Sequence, residues 1–318
     1  MRYRTLGDSG LLVSVVGLGC NNFGGRIDAA QADAVVSAAI DEGITLLDTS
    51  DTYGKDSGSE KALGEALKGR RDQVVLATKW GHQGADMGYG PAAGAKGGRN
   101  YIKIAVEKSL TRLRTDYIDL YQLHTPDPLT PVEETIAALD ELVTAGKVRY
   151  LGHSNLTGWQ VADAAHKAAG AGRTPFISAQ NHWSLLERAV EAEVVPAARH
   201  FGLGVLPYFP LANGLLTGKV RRGHALPAGT RIAARSALIT DEKLDKVEAL
   251  IDWGAERGVS LLQSTIGGLA AQPGCASVIA GATSAEQVTA NAAAGNWVPS
   301  PEEIAQLDKI VPPPGLPR

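Results

Sequence analysis

Residues 44–54 read ITLLDTSDTYG, an apolar run that stops at an acidic residue, Asp48, shortly before a tyrosine, Tyr53. The run has the length and the aliphatic content of a buried β-strand. An acid that closes a strand is usually a turn former or the N-cap of a helix. A functional interpretation of Asp48 and Tyr53 therefore requires that other strands of the chain also end on reactive side chains.

Strand-like and helix-like segments alternate along nearly the whole chain. The candidate strands are 15–19, 44–48, 74–79, 117–124, 149–154, 176–180, 204–208 and 277–281. The candidate helices are about 28–42, 58–68, 100–114, 131–145, 157–169, 190–201, 241–272, which has room for two, and 284–294. This alternation predicts the α/β class with a parallel sheet. Eight such units without a break in composition predict one (β/α)8 TIM barrel domain over residues 1–318.

Three additions to the barrel are expected. The opening residues, MRYRTLGDSGLLVS, are punctuated by glycine and predict an N-terminal β-hairpin. The loops after the third and seventh strands, 80–99 and 209–239, are unusually long. We expect both to act as lids, because long loops in compact domains are more often functional than neutral. The tail, EEIAQLDKIVPPPGLPR, predicts an extra C-terminal helix followed by a proline-rich end.

Composition narrows the classes of partner. The 318 residues are 44% hydrophobic and 20% charged, with a net charge of -3 and no block of like charge. This balance argues against a nucleic-acid or membrane surface and favours a small-molecule partner. Cys20 and Cys275 lie far apart, which fits a reducing cytoplasm and excludes a cysteine zinc motif. No secretory signal or membrane-spanning stretch is evident, so we expect a soluble cytoplasmic protein.

Polar and ionisable side chains stand at the ends of six of the eight candidate strands. They are Asp48, Lys79, His124, Ser154 with Asn155, Gln180 and Tyr208, and Tyr53 follows Asp48 on the adjoining loop. In a barrel of this kind the carboxyl ends of the strands form the reactive face. Each residue alone has an ordinary structural explanation, but their coincidence on one ring indicates a catalytic site.

Four of these residues suit carbonyl reduction. A tyrosine hydroxyl, with an ordinary pKa of about 10, is a poor acid near neutrality, and a nearby ammonium such as Lys79 lowers that pKa. At about 4 Å and an effective dielectric constant of about 20 this attraction is on the order of 4 kcal/mol before desolvation reduces it. Asp48 would hold Lys79 charged. His124 would align a carbonyl toward Tyr53, the proton donor.

The chain resembles an aldo-keto reductase. The resemblance is carried by LLDTSDTYG, by ATKWG ending at residue 81, by TDYIDLYQLHTPD at 115–127, by GKVRYLGHSN at 146–155, by LANGLLTGK at 211–219 and by SVIAGATSAEQVTAN at 277–291. These segments cover nearly the whole chain in the order the family has them. The resemblance implies a barrel that binds NADPH, with NADH as the alternative, and reduces an aldehyde or a ketone, with Tyr53, Asp48, Lys79 and His124 as a catalytic tetrad.

The resemblance also implies a set of cofactor-binding residues. Ser154, Asn155 and Gln180 match positions that bind the nicotinamide carboxamide, Tyr208 matches the aromatic residue that stacks on its ring, and the rest are Asn21, Phe209, Pro210, Leu211, Gly214, Lys219, Arg231, Gly281, Thr283, Gln287 and Asn291. The chain departs from the family pattern where Thr283 replaces a common arginine and Ala290 a frequent glutamate. Lys219 and Arg231 would supply the missing positive charge, so we expect NADPH to be preferred over NADH.

The sequence predicts the substrate pocket in less detail. Trp80, His82 and Trp183 are the candidates for its walls, with packing as the alternative for each tryptophan. The substrate class stays open among aromatic and aliphatic aldehydes, dicarbonyls and sugar-derived carbonyls, because specificity in this fold is held by loops. The sequence indicates no particular oligomeric state.

The sequence admits three other interpretations. A Rossmann dehydrogenase would carry its glycine fingerprint after the first strand, whereas GYGPAA at 88–93 lies inside a loop. A zinc hydrolase would use Asp48, His124, His153 and His182, but Lys79 among them opposes a cation, so no metal site is expected. Potassium-channel β subunits resemble aldo-keto reductases, bind NADPH and act mainly in interactions, so a sensor role is the remaining alternative. They carry asparagine where this chain has His124, which favours turnover.

Overall fold

The computed structural model of the protein describes residues 1–315 and shows a (β/α)8 barrel. Strands β1 (Tyr3–Thr5) and β2 (Leu12–Ser14) pair antiparallel as the predicted hairpin. The barrel strands are β3 (Val16–Gly19), β4 (Leu46–Asp48), β5 (Val75–Trp80), β6 (Ile118–Leu123), β7 (Val148–Ser154), β8 (Phe176–His182), β9 (Gly204–Tyr208) and β10 (Val278–Gly281). Every predicted strand is present, with boundaries that differ by a few residues at most.

All neighbouring strands of the barrel run parallel, in the order β10-β3-β4-β5-β6-β7-β8-β9. The ring closes between β9 and the residues just before β10, where Val205 N donates to Gly274 O and Ala276 N donates to Val205 O, each over 2.8 Å. We call this closure the seam. The hairpin lies against it, since Asp8 N donates to Gly202 O on one side and Arg4 Nη1 donates to Cys275 O on the other.

Helices follow the strands as predicted. They are α1 (Ala29–Asp41), α2 (Gly58–Ala66), α3 (Arg99–Leu113), α4 (Val132–Thr144), α5 (Gly158–Gly170), α6 (Val194–His200), α7 (Asp241–Ala255), α8 (Leu261–Ala270), α9 (Ala285–Gly295) and the extra C-terminal α10 (Pro301–Ile310). Several begin at a capping box. In the first, the Asp28 side chain accepts a hydrogen bond from Gln31 N, and the Gln31 side chain accepts one from Asp28 N. Between residues 1 and 315 no helix is both long enough and apolar enough to cross a bilayer.

Aliphatic side chains fill the barrel below the reactive face. Leu46, Ala77, Leu120 and Leu206 form one buried cluster, and Leu6 of the hairpin packs against them. A second, larger apolar layer lies between the strands and the outer helices. Because the interior is packed rather than open, ligands are restricted to the end of the barrel where the strands terminate.

Both long loops lie at that end and contain short turns of 3-10 helix. The first loop has one turn at Pro91–Ala93, and the second has turns at Ala212–Thr217 and Ala233–Leu238. Lys96 fixes the first loop, since its Nζ donates to His82 O over 2.6 Å. Arg26 reaches the second loop from the segment after β3, donating over 2.6 Å to Gly229 O. The first loop is therefore held by a hydrogen bond within itself, and the second by one from the segment that follows β3.

Candidate active site

A buried ion pair lies at the ends of β4 and β5. Lys79 Nζ is 2.5 Å from Asp48 Oδ2 and also donates to Thr49 O over 2.9 Å. The second oxygen of Asp48 accepts from Gln180 Nε2 and Gln122 Nε2 over 2.9 and 3.1 Å. The Asp48 carboxylate therefore has hydrogen-bond donors on both oxygens. Although burial disfavours the ammonium, Asp48 and Tyr53 outweigh it and raise the pKa of Lys79.

Tyr53 lies against this pair, with its hydroxyl 3.5 Å from Lys79 Nζ. The sequence-based expectation was that Lys79 would lower the pKa of this phenol. Lys79 does act in that direction, but burial raises the pKa of Tyr53 by more than Lys79 lowers it, so the net shift is upward. The physical reason is that the ammonium is shared with Asp48, while the phenolate would lose most of its hydration. Tyr53 therefore stays protonated at neutral pH.

His124 is the third side chain at this point. Its ring meets Tyr53 edge-on with 5.6 Å between ring centroids, and it meets His82 edge-on at 4.7 Å. Its Nδ1 is 3.1 Å from Ser50 Oγ, which leaves Nε2 as the ring nitrogen available to a ligand. Burial, with the positive charge of Lys79, lowers the pKa of His124 to about 2. The imidazole is therefore neutral.

One cavity of about 720 Å³ opens in front of these residues. Asp48, Tyr53 and His124 line it, while Lys79 lies behind them with no exposed surface. Every residue that the sequence suggested for the cofactor also lines it, namely Asn21, Ser154, Asn155, Gln180, Tyr208, Phe209, Pro210, Leu211, Gly214, Lys219, Arg231, Gly281, Thr283, Gln287 and Asn291. The volume falls within the range of about 300–1,000 Å³ that ligand sites occupy.

The part of the cavity beside the tetrad is held by a chain of hydrogen bonds. Tyr208 donates its hydroxyl proton to Asn155 Oδ1 over 2.8 Å, and Asn155 Nδ2 donates to His124 O over 2.9 Å. Asn155 has a left-handed backbone, φ 63°, which asparagine tolerates better than most residues. The Tyr208 ring is stacked on His182 with 5.4 Å between centroids and 7° between planes. Asn155 and His182 together fix the Tyr208 ring.

The part of the cavity around Arg231 is rich in positive charge. Arg231 Nη2 donates to Asn22 Oδ1 over 2.7 Å and to Asn21 Oδ1 over 3.1 Å. Burial and the charges of Arg26 and Arg235 lower the pKa of Arg231. Guanidinium groups that lie close enough to repel one another create a region suited to an anion.

Of the three residues predicted for the substrate pocket, one lines the cavity and two do not. The first is His82, whose Nδ1 accepts from Gly84 N over 3.1 Å. Trp80 is instead fully buried, stacked on Tyr121, with Nε1 donating to Lys96 O over 3.1 Å. Trp183 is buried as well, and its Nε1 donates to Glu191 over 2.7 Å. Both tryptophans therefore pack the structure and do not line the cavity, because each indole N–H finds its partner away from it.

Sequence reasoning missed several residues that line the cavity, among them Arg26, Asn213, Ile232 and Glu286. A basic residue after two glycines beyond the first strand, GGR at 24–26, was the available signal for Arg26. Its importance depends on a contact with Gly229, more than two hundred positions away in the chain. The sequence also predicted no role for the polar residues Ser50 and Asp51, which lie within the stretch 44–54.

The zinc interpretation finds no support in this geometry. His153 faces away from the cavity, buried against the Phe176 ring at 5.3 Å between centroids. Asp48 is occupied by Lys79, and in the part of the chain that the structure describes no group of three His, Cys, Asp or Glu side chains is placed to hold a metal.

Comparison with known proteins gives the class. A sequence profile of the Aldo/keto reductase family matches residues 15–312, and the chain belongs to that family, whose members are oxidoreductases that use nicotinamide cofactors. It is 38% identical to "Uncharacterized oxidoreductase YrpG" of Bacillus subtilis (strain 168), covering 99% of this chain and 97% of the relative. It is 34% identical to "Probable voltage-gated potassium channel subunit beta" of Oryza sativa subsp. japonica, covering 98% and 97%. Against "L-glyceraldehyde 3-phosphate reductase" of Escherichia coli (strain K12) it is 31% identical, covering 98% and 92%.

Proposed function

We propose that the protein reduces an aldehyde or a ketone to an alcohol with NADPH, and that Tyr53 supplies the proton. The observation that carries the proposal is that Tyr53 and His124 meet at the wall of one cavity, with Lys79 buried directly behind Tyr53. A protonated phenol, a neutral imidazole and a buried ammonium are the groups needed to protonate an oxygen as negative charge develops on it.

Tyr53 acts as the general acid because it keeps its proton at neutral pH. When the carbonyl oxygen gains negative charge, the phenol proton moves to it, and the phenolate that remains lies 3.5 Å from Lys79 Nζ. The ammonium therefore stabilises the product of the proton transfer more than its reactant. Asp48 keeps Lys79 charged and in place. His124, neutral and beside Tyr53, positions the carbonyl oxygen through Nε2.

The cavity suits a phosphorylated nicotinamide cofactor, which when bound would supply the hydride. Ser154, Asn155 and Gln180 offer hydroxyl and amide groups beside Tyr53, and Tyr208 offers a fixed ring face for stacking. Arg231, Arg26 and Lys219 provide cations for its phosphate groups. Residues of the segments 209–214 and 281–291 supply further walls of the cavity. We propose that this charge favours NADPH over NADH.

The test follows the absorbance of the reduced cofactor in the presence of a carbonyl panel. The panel should include small hydroxyaldehydes and their phosphates, because one relative is named for such a substrate. Loss of absorbance with the wild type, and a loss at least about a thousandfold slower with Tyr53→Phe, is the expected result. A Tyr53→Phe variant that keeps full activity would overturn the proposed role of Tyr53.

A binding or sensor function is the second candidate, because the rice relative is named as a channel subunit. Cofactor binding by fluorescence, run in parallel, separates the two. Tight NADPH binding without turnover on any carbonyl of the panel would favour the sensor function and contradict the reductase. Turnover that depends on Tyr53 would establish the reductase.

A further inference from the structure

Ser50 lies between two ionisable side chains that compete for its single hydroxyl proton. Its Oγ is 3.2 Å from Asp51 Oδ1 and 3.1 Å from His124 Nδ1. It also accepts from Thr52 N over 3.2 Å and lies 3.0 Å from Thr52 Oγ1. A hydroxyl has one proton to donate and two lone pairs, so Ser50 cannot donate to Asp51 and to His124 at the same time.

Asp51 has no function in the reaction described above, yet it is fully buried. Its backbone N donates to Lys79 O over 3.1 Å, which fixes its position beside the tetrad. Within residues 1–315 its Oδ2 has no hydrogen-bond partner, so Ser50 is its side-chain link to the site. A buried carboxyl with a single side-chain partner is costly to keep ionised and calls for a functional explanation.

We infer that Asp51, acting through Ser50, decides which ring nitrogen of His124 carries the proton. This inference rests on the proposed function, in which Nε2 of His124 faces the substrate oxygen. Asp51 is thus a positioning residue, and it touches neither substrate nor cofactor.

When Asp51 is protonated, its O–H donates to Ser50 Oγ, and the Ser50 hydroxyl then donates to His124 Nδ1. The neutral imidazole consequently holds its proton on Nε2, where it can donate a hydrogen bond to a carbonyl oxygen. When Asp51 is ionised, it accepts the Ser50 proton, and Ser50 accepts from His124 Nδ1–H instead. Nε2 then presents a lone pair to the carbonyl oxygen, which repels it. No proton is lost from His124 in either state; only its location changes.

The surroundings of Asp51 place this change near neutral pH. Burial and the negative charge of Glu60 raise the pKa of Asp51 to about 7. The other ionisable groups that face it are Arg112 on α3, Lys79 on β5, Tyr101 on α3, Tyr121 on β6, and Tyr53 and Tyr89 on loops. Lys79 and His82 face His124. The pKa values of Lys79 and Tyr53 are raised above ordinary values of about 10, so neither group titrates in this range.

The decisive measurement is the ¹⁵N chemical shifts of the histidine rings between pH 5.5 and 8.5, since the two tautomers have distinct shifts. The His124 signals are assigned by their loss in His124→Gln. We expect the wild type to move from Nε2–H to Nδ1–H as pH rises through about 7. Ser50→Ala, which cuts the link, should show a tautomer that does not change with pH. A wild-type tautomer that stays constant over the range would overturn the inference.

Kinetics provide the second readout. Reduction by the wild type should fall roughly tenfold in kcat/KM from pH 6.5 to 8.5, because the donor form of His124 is lost. Asp51→Asn should remain active with a flat profile over this range, since an amide can donate to Ser50 without titrating. Glu60→Gln removes the neighbouring negative charge and should move the inflection to lower pH. A flat wild-type profile would contradict the inference, and so would an unchanged inflection in Asp51→Asn.

The ¹⁵N measurement needs no substrate, so its failure is distinguishable from failure of the proposed function. A tautomer that switches with pH in a protein without turnover would support the link between Asp51 and His124 and contradict the reductase. Turnover by a protein whose His124 tautomer does not change with pH would support the reductase and contradict the link between Asp51 and His124.

Discussion

Lys79 Nζ and Asp48 Oδ2 are 2.5 Å apart, and the side chains of both residues are almost fully shielded from solvent. Two charges removed from water in this way depend on one another, because neither has bulk water to stabilise it. Loss of one partner alone should therefore destabilise the barrel, whereas the proposed chemistry needs both, and the two effects are separable by mutation.

We expect Lys79→Met to lower the free energy of unfolding by about 3–5 kcal/mol, because Asp48 is left as an uncompensated buried charge. Asp48→Asn in the same background should restore most of that loss, since it removes the second charge. Urea unfolding of the two single variants and the double variant measures the coupling. Additive losses would contradict the interdependence of the pair. Reductase activity should be lost in all three variants.

Gly7 is expected to be intolerant of a side chain. Its φ is +61°, and a Cβ there would lie 2.2 Å from Gly202 O and 2.7 Å from Gly204 N, at the start of β9. Gly69 is the matched control, since it has φ +77° but open space around it. Gly69→Ala should cost about 1 kcal/mol of backbone strain. Gly7→Ala should cost roughly 3 kcal/mol or more, because the clash adds to the strain. Equal thermal unfolding temperatures for the two variants would contradict the predicted clash, and would show that the backbone at Gly7 can shift at little cost.

Cofactor preference should depend on Arg231. Arg231→Ala is expected to reduce the ratio of kcat/KM for NADPH to that for NADH by about tenfold or more, because a phosphate loses a charged donor. Arg235→Ala is the control: Arg235 also lies over the Phe209 ring, 5.9 Å from its centroid, but does not line the cavity. Its ratio should stay close to that of the wild type. An equal loss with both cofactors in Arg231→Ala would assign Arg231 to a phosphate that they share.

Acid should destabilise the fold through His153. Burial lowers the pKa of His153 to about 3, so the folded state excludes a proton that the unfolded state binds below about 6.5. Stability is therefore retained above pH 6.5 and lost as pH falls toward 3, by roughly 2 kcal/mol between pH 6.5 and 5.

His153→Leu should remove that share of the acid sensitivity. Urea unfolding at pH 7 and pH 5 gives the change in stability for each variant. His166→Leu is the control, because His166 is exposed and its removal leaves the buried histidine in place. Its free energy of unfolding should fall between pH 7 and pH 5 as much as that of the wild type. If both variants lost the same amount between the two pH values, burial of His153 would not be the cause.

The architecture, and the proximity of Asp48, Tyr53, Lys79 and His124, could be predicted from the sequence because both depend on local pattern. Apolar runs alternating with helical segments predicted every barrel strand, and the rule that strand ends form the reactive face brought Asp48, Lys79 and His124 together. The sign of the Tyr53 pKa shift was wrong because it is a balance between burial and charge, and the extent of burial is a property of the assembled cavity. The sequence could not decide between pocket wall and packing for Trp80 and Trp183 for a related reason. Their indole N–H groups donate to Lys96 O and Glu191, and both contacts depend on the folded structure.

The seam has a consequence for how the barrel is made. The first barrel strand of the chain, β3, pairs with the last, β10, and β9 closes on residues just before β10. On a ribosome, therefore, the ring stays open until about residue 281 has been synthesised, although the hairpin that covers its floor emerged first. Contacts between segments so distant in the chain form slowly, because a long loop must close before they stabilise anything. During that interval β3 and β9 present unpaired strand edges, which are open to pairing with other chains until the last strand has been made.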